Sequence, residues 1–194
     1  MKRTLLSILV LMAAGALPAS SAIILFNLQG KGGIGLLSTN ENGVLAGAPG
    51  GGGEVGAGIS YNDVSNELTI NVAWGSGNGF TNLSGDAIMG HIHGPTPSSG
   101  TAAFNENVGV LFNLDDTAAW NNNAINGGIS NRVLTLTEAQ EGQLLAGRYY
   151  INIHTGTNGG GEIRGNLVVV PEPASALLAI SGLGLFWLRR RARS

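Results

Sequence analysis

The chain has 194 residues, with 12 acidic and 10 basic side chains, a formal charge of −2, three histidines, 32 glycines and no cysteine. Without cysteine, thiol catalysis, Cys-ligated zinc sites and disulfide bracing are excluded. The basic residues crowd at the two ends, so residues 23–170 hold four basic against eleven acidic side chains, a charge of −7 that argues against nucleic acid as a partner.

In chain order, Lys2 and Arg3 precede an apolar run from Leu5 to Leu17, and Ser20-Ser21-Ala22 supplies the small residues a signal peptidase needs. A secretory signal over 1–22, cut after Ala22, is therefore expected. Residues 23–170 then make one exported domain, a length that suits a single core. The glycines between Gly30 and Gly58 predict loops and loosely packed edge strands. Val55–Tyr61 and Leu68–Trp74 read as a hairpin turned by Asn62-Asp63-Val64-Ser65-Asn66, and the second arm alternates Leu68, Ile70, Val72 and Trp74 with Thr69, Asn71 and Ala73. Further strands are predicted at Ala87–His93, Val108–Leu114, Arg132–Leu136, Tyr149–Thr155 and Ile163–Val170, with Asn121-Asn122-Asn123 as a surface loop. One helix is expected over Glu138–Ala146, with a capping box from Thr137 and Gln140 and a stop at Gly147. The fold class is all-β, an immunoglobulin-like antiparallel β-sandwich or Greek-key barrel with one short helix. After the domain come Pro171, Glu172 and Pro173, an apolar run from Ala174 to Leu188, and Arg189, Arg190, Arg191 and Arg193. That order predicts a transmembrane helix with its arginines on the cytoplasmic side and the domain outside.

Chemistry, where the chain has any, falls to the histidines. His91 and His93 stand two apart on a predicted strand and share a face, and His154 ends another strand on the face of Tyr150 and Asn152. With the two strands as neighbours, three imidazoles suit copper or zinc; otherwise they bond backbone and carboxylates and hold loops at one end of the sandwich. Glu162 and Arg164 also share a face, as a structural ion pair at the rim or with Glu162 orienting a metal-ligating histidine. No catalytic residue is assigned. Ser98 and Ser99 lie in a loop without a nucleophile-elbow pattern, and the runs Gly30-Lys31-Gly32-Gly33 and Gly50–Gly53 lack the Lys-Ser or Lys-Thr of a phosphate loop.

The segment 171–194 resembles the PEP-CTERM sorting signal of Gram-negative bacteria. The resemblance implies that an exosortase cuts near Pro171, Glu172 and Pro173 and releases or transfers the protein to the cell surface. The domain resembles CHRD domains over about Leu45 to Val168. The blocks that carry the likeness are His91-Ile92-His93-Gly94-Pro95, Val108-Gly109-Val110-Leu111-Phe112, Leu134-Thr135-Leu136-Thr137 with Leu144-Leu145, Gly147 to Thr155 and Gly161 to Leu167. It implies an immunoglobulin-like sandwich in an extracellular protein. One departure is Thr157-Asn158-Gly159-Gly160-Gly161, where CHRD domains commonly have Asn-Pro, and a looser loop beside His154 is expected from it. The His-x-His strand is also similar to the copper strand of Cu/Zn superoxide dismutase. That chemistry needs further histidines, a bridging aspartate and a positive steering field, which this acidic chain does not offer.

The function these readings imply is a non-enzymatic binding or structural module of the cell surface or extracellular matrix. Its processing partners are signal peptidase and exosortase, and its extracellular partner is another protein or a polysaccharide. Its location is the cell envelope or the medium, with transient anchoring in the inner membrane. The alternative is an extracellular protein that binds copper or zinc through His91, His93 and His154.

Overall fold

A computed structural model describes residues 23–46 and 50–171. The predicted signal with its cleavage at Ala22, Glu172 and Pro173, and the apolar and arginine-rich tail lie outside the described residues. Among the described residues no helix is long and apolar enough to cross a membrane.

The chain forms β1 (Ile23–Gly30), β2 (Gly33–Ile34), β3 (Leu36–Ser38), β4 (Gly51–Asn62), β5 (Glu67–Trp74), β6 (Ala87–His93), β7 (Val110–Asn113), β8 (Trp120–Asn121), β9 (Gly128–Thr135), α1 (Glu138–Leu145), β10 (Tyr150–Thr155) and β11 (Ile163–Val169). All pairings are antiparallel, in the order β7-β6-β10-β11-β1-β4-β5-β9-β8. The expected all-β antiparallel class with one short helix is what forms. The strands belong to one hydrogen-bonded sheet because β1 pairs with both halves. Its first residues face β4 (Ile23 opposite Asn62, Phe26 opposite Ile59) and its later ones face β11 (Leu28 opposite Leu167). β3 bridges β11 and β4 in the same way. A strand that changes partners along its length turns the corner between two packed layers.

The layers close on each other at the far edges. Ala87 N donates to Asn122 O at 2.8 Å, just past β8, and Arg132 Nη2 reaches Asn113 O and Asp116 Oδ1 from β9. Between the layers Leu68, Ile70, Val72 and Trp74 of β5 are buried with Ile92, Ile151, Ile153, Ile163 and Leu167 of the opposite layer. At about 25 cal/mol per Å² of apolar surface, this cluster is the main source of stability in a chain without disulfides. Trp74 donates Nε1 to Asn123 O at 2.9 Å and meets Trp120 at 5.2 Å between centroids.

The hairpin between β4 and β5 forms as expected. Asn62 Oδ1 accepts from the amides of Val64 and Ser65, and Asn66 takes φ 57°, a backbone region asparagine tolerates. The capping box at Thr137 and Gln140 is present, Leu144 is buried beneath the helix, and Gly147 follows with φ 68°.

The glycine-rich stretch departs from its reading as loops and edges. Gly51, Gly52 and Gly53 open β4, an interior strand, and a Cβ on Gly52 would stand 2.4 Å from the Ala73 carbonyl oxygen of β5. These glycines allow close strand approach. β1, β2, β3 and β8 were also not expected as strands, and Asn121 belongs to β8 while Asn122 and Asn123 lie beyond it.

Gly90 of β6 lies under the Trp120 ring, where a Cβ would sit 2.5 Å from Cζ3. Gly90→Ala is expected to cost about 1–3 kcal/mol by overpacking and to change the near-ultraviolet circular dichroism of the tryptophan pair. Gly85→Ala, where nothing lies within 4 Å, is expected to stay within about 0.5 kcal/mol of the parent in chemical denaturation.

Candidate metal centre

Register places the histidines. β10 lies between β6 and β11, with His93 opposite Tyr150, His91 opposite Asn152, and Met89 opposite His154. On the other side Arg164 faces Asn152, and Asn166 faces Tyr150. Directly opposed residues project to the same face, and the face alternates along each strand. His91, His93, Tyr150, Asn152, His154, Arg164 and Asn166 therefore form one polar surface, while Ile92, Ile151 and Ile153 point into the core.

That polar surface is buried too, since all six residues of β10 are shielded. Two segments cover it, 39–46 and 96–108. Arg164, 1% exposed, bonds the carbonyl oxygens of Glu41, Glu106 and Ala103, and Asn166 Nδ2 reaches Gly100 O at 3.0 Å. The guanidinium also lies 3.5 Å over the centroid of Tyr150, whose ring stacks on His93 at 4.8 Å and 3°. Burial pulls Arg164 below its ordinary pKa, with Tyr150, Glu106 and Glu41 opposing that shift, and pushes the Tyr150 hydroxyl up.

Backbone carbonyls set two of the three imidazoles. His93 Nδ1 donates to Val108 O at 2.8 Å and His154 Nδ1 to Gly159 O at 3.0 Å, because a carbonyl oxygen can only accept. In the neutral ring each Nε2 is then a lone pair. His91 Nδ1 lies 3.1 Å from His154 Nε2 and donates to it when no ion is bound; to bind an ion through Nδ1, His91 would carry its proton on Nε2 instead. His93 Nε2 is buried without a hydrogen-bond partner among the described residues. One ligand atom from each histidine lies within 4.8 Å of the others.

Desolvation lowers the pKa of His91, with repulsion from His154 adding to it and Asp115 and Glu41 opposing. Desolvation also lowers that of His93, against the Val108 bond and Glu41 and together with His91 and His154. Neutral imidazole is the form that binds a metal ion. Three converging imidazoles, two of them aimed by carbonyls behind them, are a donor set that could hold zinc or copper.

Glu162 and Arg164 come apart. Both are buried and not at a rim, and no ion pair joins them among the described residues. Glu162 makes no hydrogen bond to a histidine among the described residues. Its oxygens accept from Ser84 N, Ser84 Oγ, Thr155 Oγ1 and Asn158 Nδ2. Its effect on His154 runs through Asn158, in the loop whose Gly159 carbonyl holds the imidazole. That loop lacks Asn-Pro, yet it is tied: Asn158 N bonds Thr155 O and Oγ1, and Gly161 N bonds Asn158 O. The loosening expected from the substitution is offset by these bonds.

The sequence reading missed Glu41. Its Oε1 stands 3.7 Å from His93 Nε2 and 3.6 Å from His154 Nε2. Glu41 sits in an irregular segment with no period to mark it, and only its carboxylate type, suited to metals, was a signal.

Residues 36–167 match the family model described as the CHRD domain, well over half of the chain. No curated protein and no solved structure matches it.

The histidine environment makes stability depend on pH. His91 and His93 titrate lower in the folded state than the ordinary value of about 6.5, so below that pH the unfolded chain binds more protons. Their contribution is present above about pH 6.5 and is lost as the pH falls from there through the lower pKa values of the folded state. In chelator, denaturant midpoints are expected to fall from pH 7.5 to pH 5, with a shallower fall in His93→Gln; equal slopes would contradict this.

Proposed function

The chain belongs to the CHRD domain family, and from that premise we propose that it is an exported extracellular module whose working part is a transition-metal centre built on His91, His93 and His154. Family membership supports the coarser reading of an extracellular structural module. The observation that carries the metal is the convergence of three imidazoles, with His93 and His154 held at Nδ1 by the Val108 and Gly159 carbonyls and His93 Nε2 left without a partner. A nitrogen-rich set with no cysteine suits zinc or cupric ion. The centre serves binding or storage of the ion and stiffens the end of the domain where β6 meets β10. A non-enzymatic role is part of the proposal.

A second reading keeps the same module without an ion. The direct 3.1 Å contact between His91 Nδ1 and His154 Nε2 favours it, since such a bond fastens β6 to the end of β10 unaided. In either reading the chain is exported by its first 22 residues and sorted by exosortase at Pro171, Glu172 and Pro173. Pro171 is exposed two residues past the end of β11, which suits access by a protease.

Elemental analysis of the protein recovered from the envelope or medium separates the two readings. About one zinc or copper per chain, lost in both His91→Ala and His154→Ala, is expected. A folded protein that takes up neither metal when both are supplied leaves the scaffold alone. Mass spectrometry of the same material is expected to give an N-terminus at Ile23 and a C-terminus near Pro171, and retention of residues 174–194 in the mature protein would refute the sorting step.

A further inference from the structure

We infer that Glu41 is the fourth ligand of this centre, that it biases the site toward a divalent ion, and that the ion fastens the covering segment 39–46 to the sheet. The inference rests on the metal reading above. Glu41 Oε1 is 3.6 and 3.7 Å from the two Nε2 atoms, too long for a hydrogen bond. Two donors on one tetrahedral zinc, each at about 2.0–2.1 Å, stand about 3.3–3.4 Å apart. Three of the six separations among His91 Nδ1, His154 Nε2, His93 Nε2 and Glu41 Oε1, at 3.1, 3.6 and 3.7 Å, bracket that edge length, and the histidine atoms all lie within 4.8 Å of one another. Electrostatics points the same way. A carboxylate oxygen facing two imidazole lone pairs is repelled unless a cation stands between them.

The position of Glu41 is prepared from several sides. Its amide donates to Gly160 O at 2.9 Å, in the loop that also holds His154. Its carbonyl accepts from the buried Arg164, and its other carboxylate oxygen, Oε2, accepts from Asn107 Nδ2 at 3.3 Å. Oε1 is thereby left toward the histidines. Around it the segment is bonded to itself: Asn40 Oδ1 accepts from the amides of Asn42 and Val44, Gly43 sits at φ 70°, and Lys31 Nζ caps Gly43 O at 2.6 Å. An anionic oxygen beside three nitrogens favours Zn²⁺ or Cu²⁺ over Cu⁺. The soft donor on this face is Met89, opposite His154, and it would favour the opposite preference.

The test titrates the full chain, stripped with chelator in detergent, with Zn²⁺ and in parallel with Cu⁺, against Glu41→Gln and Glu41→Asp. Amide exchange of residues 40–44 is followed with and without zinc. Expected are a loss of about tenfold or more in Zn²⁺ affinity for Glu41→Gln, partial recovery in Glu41→Asp, a smaller change for Cu⁺, and slower exchange in 40–44 on zinc binding in the wild type only. Should Glu41→Gln fail to fold, Glu41→Asp and the wild-type exchange decide. Unchanged zinc affinity in the variants, an equal loss for Cu⁺, or no added protection of 40–44 overturns the role of Glu41 and leaves the three-histidine centre standing. A wild type that binds no metal overturns both.

Discussion

Burying the polar row of β10 is the constraint on which the rest of this molecule depends. A strand shielded on both faces ordinarily carries apolar residues on both; here Tyr150, Asn152 and His154 fill one of them. Unpaired polar groups in such a place cost about 1–3 kcal/mol each; the neighbouring segments bring partners to this row except at Asn152, whose amide nitrogen and oxygen have none among the described residues. Arg164 answers by collecting three carbonyls from the two covering segments, and Val108 and Gly159 answer for the histidines. The irregular loops over this face are thus ordered by the sheet beneath them. In turn the loops supply the carbonyls that hold His93 and His154 at Nδ1.

The interior layer was legible wherever alternation ran cleanly. β5 and β6 begin or end within a residue or so of the expected positions, and the capping box at Thr137 and Gln140 located the helix. β1 was not legible because Ile23 and Leu25 are exposed apolar residues alternating with core-facing ones, which hides the period. β4 was truncated in the reading because glycine there means close strand approach and not looseness, and composition cannot separate the two. At the site, the shared face of His91 and His93 followed from spacing alone. The neighbouring placement of His154 followed from no local signal; it needed the β6–β10 pairing. Glu41 and the carbonyl partners were out of reach because they come from segments without period, and Glu41 is held by Arg164 from 123 residues away.

Without disulfides, this domain relies on one core and on ties between loops. The ties are of two kinds. Ser84, Thr155 and Asn158 donate to the buried carboxylate of Glu162, which fixes the loop after β10 with hydrogen bonds alone. The histidine cluster sits on the other side of that loop, where hydrogen bonds run short and His93 Nε2 has none. A metal ion bound here, as proposed, would supply by coordination what a disulfide supplies elsewhere.

The pairing of β1 with β11 has a geometric consequence. Ile23 and Pro171, the first and last described residues, leave from the same end of the domain, since Val170 N bonds Leu25 O. His154 and Glu162 lie at the opposite end of β11, about 20 Å away at the usual rise of a strand. A domain held by either terminus therefore turns its histidine end outward, like a lamp on a short bracket. The length of the tether would alter how far that end reaches, and not which way it faces.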